Sequence, residues 1–134
     1  MAMSLACRKL SIGHGSHALC SNIDMELSSG DIVCLLGPNG CGKTTLFKTL
    51  LGLMPALAGQ IQLSGKPLST LGRVQIARAL AYVPQQHAPP FPYSVSEVVL
   101  MARAAHLPVF AQPGKADYRA VDTALLQLGI ETLK

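Results

Sequence analysis

The chain has 134 residues, 49% of them hydrophobic, 13% charged and 4% aromatic, with no Trp and a net charge of +4. That length allows one domain or part of one, and a mean hydropathy of +0.35 with so little charge excludes intrinsic disorder. No uninterrupted apolar run is longer than Ile32–Leu36, far short of the ~18–20 residues that a membrane-spanning helix needs. The basic residues are scattered, with Arg8-Lys9 the one adjacent pair, so no nucleic-acid footprint is expected. Cys7, Cys20, Cys34 and Cys41 form no C-x-x-C pair, and their spacing suits neither a zinc site nor a disulfide framework. With no apolar stretch of signal length ahead of Arg8, the expectation is a reduced, cytoplasmic protein.

Residues 5–30 read as short strands, punctuated by Gly13 and Gly15 and closed by a turn at Ser28-Ser29-Gly30-Asp31. Ile32-Val33-Cys34-Leu35-Leu36 is continuously apolar and stops at glycine, which predicts a strand buried on both faces, as in a parallel sheet. From Lys43 to about Leu53, Leu46, Phe47, Leu50 and Leu51 recur at helical spacing, with Gly52 and Pro55 marking the end. Residues 59–64 alternate apolar and polar, a half-exposed strand, and Gly65 turns the chain. A helix over 70–80 would run through Val74, Ala77 and Leu80, followed by a short strand at Ala81-Tyr82-Val83 that Pro84 closes. Pro89, Pro90 and Pro92 exclude a helix interior. Two further helices are predicted over 94–105 and 117–128. No internal repeat is visible, and the pattern is α/β with helices accumulating toward the end.

Gly37-Pro38-Asn39-Gly40-Cys41-Gly42-Lys43-Thr44 satisfies G-x-x-x-x-G-K-[ST] between an apolar run and a helix start, the context that gives this motif its meaning. Glycines at 37, 40 and 42 let backbone N–H groups converge on a phosphate, and the helix start adds its positive dipole end. Lys43 would reach the β- and γ-phosphates, and the Thr44 hydroxyl would ligate Mg²⁺. A chance match in a chain of this length is on the order of 0.5%, so nucleotide binding is the first functional expectation. Cys41, in a variable loop position beside Lys43, is either a reagent-sensitive thiol that nucleotide would protect or an inert small residue.

About 36 residues precede the loop, unlike most small-molecule kinases, and no N-K-x-D motif of a GTPase is present. The wording Gly-Pro-Asn-Gly-Cys-Gly-Lys-Thr-Thr, with Thr45 as its last residue, resembles the Walker A motif of ABC transporter ATP-binding subunits. Tyr82-Val83-Pro84-Gln85 resembles that family's approach to the Q-loop, with Gln85 as its glutamine; alone, Gln85 could be a plain loop residue. His14 stands where the family usually has a Tyr that stacks on adenine, and a loop His with no ligand role is the alternative. His17, His87 and His106 read as surface residues.

Residues 91–101 (Phe91-Pro92-Tyr93-Ser94-Val95-Ser96-Glu97 onward) resemble the entrance to the helical subdomain, closest to importers of iron–siderophore, haem or cobalamin type. Arg103, His106, Phe110 and Asp117 continue the likeness, while Ala102 replaces a common Gly. The resemblance implies that residues 86–97 face a permease, although Val95, Val98 and Val99 suit the subdomain's own core.

The implied fold class is α/β, a P-loop NTPase of ABC ATPase type. It would have N-terminal antiparallel strands, a truncated core sheet and the start of the helical subdomain, with 5–85 as nucleotide-binding core and 86–134 as subdomain start. The implied nucleotide site comprises Asn39, Gly40, Cys41, Gly42, Lys43, Thr44, Thr45 and His14. Lys43 and Gln85 would be the catalytic pair, and Thr44 and Gln85 would be directed at Mg²⁺, with ATP as ligand. Implied partners are a transmembrane permease subunit, a second ATP-binding subunit in the full-length form and, indirectly, a substrate-binding protein. The subunit would sit peripherally at the inner face of the membrane, with no nucleic acid involved.

Three family elements are not found in these 134 residues: the signature motif, an apolar strand ending in Asp-Glu, and the switch His. Leu27-Ser28-Ser29-Gly30-Asp31 and Leu63-Ser64-Gly65-Lys66 look faintly like the signature but read as turns. Hydrolysis needs Mg²⁺ held from both sides and a water-positioning group, so the chain is expected to bind nucleotide without efficient turnover. Two readings compete: the ATP-binding subunit of an ABC importer, with an iron complex or similar metal chelate as the cargo that the resemblance implies, and a truncated, non-hydrolysing nucleotide-binding or interaction module. An unrelated P-loop kinase is a distant third. Poor solubility is expected from apolar faces meant for missing strands.

Overall fold

The structure, a computed structural model, describes residues 4–85, 92–108 and 110–133. The chain packs as two units, Met1–Leu80 and Ala81–Lys134. The first holds a four-stranded antiparallel sheet in the order β2-β1-β3-β4, with β1 Ser4–His14, β2 His17–Ser28, β3 Ala58–Leu63 and β4 Lys66–Pro67. Its helices are α1, Lys43–Leu50, and α2, Arg73–Ala79. Both family-like serine-glycine stretches are turns: Asp31 N–H donates to Ser28 O at 3.1 Å, and Ser64 and Gly65 both take positive φ between β3 and β4.

A bulge in β1 decides which residues reach the core. Side chains alternate faces along a strand, so Cys7 and Leu10 would point to opposite sides of a regular one. Lys9 instead takes a φ of 48°, and the pairing with β2 shifts register between Cys7↔Met25 and Leu10↔Ile23. The extra residue flips the parity, and Cys7, Leu10 and Ile12 all end fully buried while Arg8 and Lys9 stay in water. Gly59 of β3 passes so close that a Cβ there would run into the Lys9 and Arg8 carbonyls. Burial also raises the Cys7 thiol's titration above its ordinary value, the largest cause being desolvation.

The core of this unit joins Cys7, Leu10, Ile12, Ile61 and Leu63 of the sheet to Leu46 and Leu50 of α1 and to Leu68. Each fully enclosed Leu or Ile contributes roughly 1.5–3 kcal/mol relative to leaving it in water. α1 is shorter than predicted because the chain tightens after Leu50: Gly52 takes a φ of 69° and donates to Thr49 O at 3.0 Å. The helix predicted over 70–80 begins only at Arg73, after a 3-10 turn at Leu68–Thr70. Of the predicted Val74, Ala77 and Leu80, only Leu80, just past the helix end, packs on the core, beside Ile76 and Ala79; Val74 and Ala77 are exposed.

Two predicted strands do not form. Residues 32–36 are irregular and open to solvent, with Ile32 94% and Leu36 88% exposed. Residues 81–83 are likewise irregular, with Val83 91% exposed. A strand needs hydrogen-bonding neighbours about 4.8 Å away, and among the described residues neither segment pairs with another. The predicted pattern of burial on both faces is therefore present in the residues and unmet in the structure.

The second unit contains α3, Val95–Met101, and α4, Lys115–Leu128. Ser94 and Glu97 close a reciprocal cap on α3: Glu97 N–H donates to Ser94 Oγ at 3.3 Å and Ser94 N–H to Glu97 Oε2 at 2.7 Å. The predicted last turn to Ala105 is tightened into 3-10 form over Ala102–His106. α4 starts two residues before the predicted Asp117, ends at Gly129 with a φ of 65°, and buries Val121 and Leu125. The valines expected in the core of α3 are only partly covered: Val95 and Val99 are half-buried and Val98 is exposed, since α4 and the 3-10 turn are the elements packed on this helix.

Candidate phosphate-binding site

The loop at 37–42 is irregular, with a turn over Asn39 and Gly40 that Cys41 N–H closes onto Pro38 O at 3.4 Å. Gly40 and Gly42 have φ of 81° and 99°, the left-handed region where a side chain costs about 1–2 kcal/mol. A Cβ at Gly37 would lie 2.8 Å from Cys41 Sγ, so a side chain there would make the exposed Cys41 thiol shift.

α1 opens directly from Gly42, with no side-chain cap and no acidic residue in its first turn. Its first helical bond runs from Leu46 N–H to Gly42 O at 2.8 Å, and the N–H groups ahead of it have no partner within the helix. A helix end in that state offers donors and a positive dipole to an anion. The Lys43 ammonium turns back on the loop, donating to Gly37 O and Pro38 O at 2.7 Å each and lying 3.8 Å from Cys41 Sγ. Reaching a phosphate would exchange these neutral carbonyl acceptors for anionic ones, adding charge–charge attraction to bonds the ammonium already strengthens.

The hairpin β1–β2 backs the loop. A Cβ on Gly42 would lie 3.5 Å from Ile12 Cδ1 and 3.7 Å from Leu19 Cβ. His14 Nε2 lies 3.5 Å from Thr45 Oγ1, a contact between residues 31 apart that sequence reading missed. Buried Thr49 donates from Oγ1 to Thr45 O at 2.8 Å, which steadies this turn of α1.

The structure thus brings His14, Asn39, Gly40, Cys41, Gly42, Lys43, Thr44 and Thr45 into one unit. Asn39, Gly40, Cys41, Thr44 and His14 are exposed, Gly42 and Lys43 half-buried and Thr45 buried. Gln85 belongs to the second unit, where it is exposed. Of the stretch 86–97 expected to face a permease, 86–91 lie outside the described residues, His87, Pro89, Pro90 and Phe91 among them. A groove of about 740 Å³ lies elsewhere in the first unit, lined by Leu53, Ile61, Leu68, Leu71 and Ile76 and by no residue of 37–44.

A glycine-bounded loop, an uncapped cationic helix end and a lysine poised over the loop fit a nucleotide polyphosphate. The family model described as ABC transporter matches residues 20–134. The chain belongs to the ABC transporter family. It is 42% identical over 131 residues to an uncharacterized ABC transporter ATP-binding protein of Haemophilus influenzae, covering 98% of this chain and 50% of that one. The iron(3+)-hydroxamate import ATP-binding protein FhuC of Bacillus subtilis is 33% identical, over 95% of this chain and 47% of its own. Among solved structures, an ABC transporter assigned to the metal-chelate type, in an inward-facing conformation, superposes with a TM-score of 0.76 at 32% identity, over 99% of this chain and 47% of its own. The chain spans about half the length of the curated relatives it matches. This ABC chain has the P-loop NTPase fold of its relatives, with the antiparallel strands described above. No helix among the described residues is long and apolar enough to cross a membrane.

Proposed function

We propose that these residues are the phosphate-gripping part of an ATP-binding subunit that powers an ABC importer, with an iron complex or similar metal chelate as cargo. The observation that carries the reading is the loop itself: Lys43 over Gly37 and Pro38, at the open start of α1. The names of the B. subtilis relative and of the metal-chelate transporter support the cargo class.

In this reading, residues 5–85 bind ATP and 86–134 open the helical subdomain. Asn39, Gly40, Cys41, Gly42, Lys43, Thr44 and Thr45 hold the phosphates, and the His14 ring faces the adenine. Thr44 and Gln85 are directed at Mg²⁺, which would neutralise charge on the transferred phosphoryl group. Lys43 stabilises that charge, and Gln85 positions water and reports nucleotide state to a permease through residues 86–97. A permease subunit, a second ATP-binding subunit and, indirectly, a substrate-binding protein complete the assembly at the inner membrane face.

The second reading, a nucleotide-binding module without turnover, is favoured by the irregular state of 32–36 and 81–83, since a hydrolytic site needs a fixed scaffold on both sides of the phosphates. Titration of the 134-residue chain with a fluorescent ATP analogue, beside Lys43→Ala and an assay for released phosphate, separates the cases. Lys43-dependent binding without turnover supports a nucleotide grip that these residues alone do not make hydrolytic. Binding that Lys43→Ala leaves intact refutes the site, and Lys43-dependent turnover refutes the second reading.

A further inference from the structure

The hydroxyl of buried Thr45 meets a titratable group from outside the loop. His14, at the end of β1, has Nε2 3.5 Å from Thr45 Oγ1 and sits exposed opposite His17 across the hairpin turn. Ile12 and Leu19, both beside Gly42, keep this tip against the start of α1. The titratable groups on the neighbouring elements are His17 and Cys20 on β2 and, on α1, Lys43 at its start and Lys48 in its last turn, with none on β3. The acids of β2 are engaged farther along the hairpin, Asp24 with Lys9 N–H and Glu26 with Arg8. No acidic side chain occupies the first turn of α1. A polyphosphate held at the start of α1, where Thr45 meets His14, would bring anionic charge that favours the protonated imidazole.

We propose that His14 is a titratable cation of the nucleotide site. When polyphosphate binds, the neutral imidazole takes one proton from solvent, and affinity rises as pH falls through the imidazole range. The inference rests on the nucleotide-binding reading above and adds a role for the ring's edge to the one proposed for its face. A phenyl ring at position 14 would keep the face and lose the proton.

The test is calorimetric binding of Mg²⁺-ADP to the full chain between pH 5.5 and 8.5, in buffers of differing ionisation heat, with His14→Phe, His14→Gln and His17→Gln alongside. The phosphates of ADP titrate in the same range, but equally for every protein, so differences between proteins isolate the side chain. The unsubstituted chain should gain about three- to tenfold more affinity between pH 8.5 and 5.5 than either His14 variant, at most about 1.4 kcal/mol. It should also take up more protons at pH 7, and His17→Gln should keep its profile. Parallel profiles for the unsubstituted chain and His14→Phe overturn the proposal and leave nucleotide binding standing. No binding at any pH overturns both. Should the His14 variants fail to fold, the ring-proton NMR titration of His14 decides: a midpoint that rises with ADP supports the proposal, and an unmoved one refutes it.

Discussion

Arg103 Nε donates to Asp117 Oδ1 at 3.0 Å, while Asp117 Oδ2 accepts the Gly114 N–H, also at 3.0 Å. One carboxylate thus caps the start of α4 and fastens the 3-10 turn that follows α3. The Gly114 N–H first, and the Arg103 guanidinium second, hold the Asp117 carboxyl below its usual range. Its folded value lies below the unfolded one, so the stabilisation is present above the ordinary carboxylate range and is lost as pH falls through the lowered value. Asp117→Asn should lower the melting temperature at pH 7 and have progressively less effect in strong acid. Circular-dichroism melts across that range check it, and an equal deficit at every pH would contradict the account.

Cys41 is exposed, with Sγ 3.8 Å from Lys43 Nζ and tight against Gly37. An alkyl group on that sulfur would occupy the space through which Lys43 must turn toward a phosphate. Cys20 and Cys34 are exposed too, so the experiment needs both replaced by Ser. N-ethylmaleimide should then weaken nucleotide binding by at least about tenfold, near 1.4 kcal/mol, and saturating ATP should slow the modification. Mass spectrometry showing complete alkylation with undiminished ATP binding would sink the idea.

Ile32 and Val33 are 94% and 61% exposed within an uncharged run rich in strand-forming residues, the composition of an aggregation-prone segment. Ile32→Lys combined with Val33→Lys should raise the concentration at which light scattering sets in. Because neither side chain is packed, the two changes together should alter stability by no more than about 1 kcal/mol. A large fall in melting temperature would show instead that this segment is packed in solution.

The phosphate loop was legible because its rules are local: Gly40 and Gly42 need positive φ, and Lys43 follows at a fixed offset on a helix start. The turn at 28–31 and α4 were equally readable from turn residues and helical spacing, whereas residues 5–30, read as short strands, form two strands of 11 and 12 residues. The bulge at Lys9 was not, since nothing in Cys7-Arg8-Lys9-Leu10 announces that two residues will face one. The strand expected at 32–36 failed for the opposite reason. Its residues state a demand for neighbours on both sides, and pairing depends on chain far from it in sequence. His14 was singled out only by family likeness; its approach to Thr45 follows from how Ile12 and Leu19 settle on Gly42.

The inward turn of Lys43 has a kinetic consequence. With its ammonium bonded to Gly37 O and Pro38 O, the side chain is a place-holder that keeps the loop's shape before any ligand arrives. The entropy of ordering that backbone is then met during folding rather than at binding. Arrival of a nucleotide requires one side chain to change hands, a rotamer event on the picosecond-to-nanosecond scale for exposed groups, so encounter rather than loop rearrangement should set the association rate.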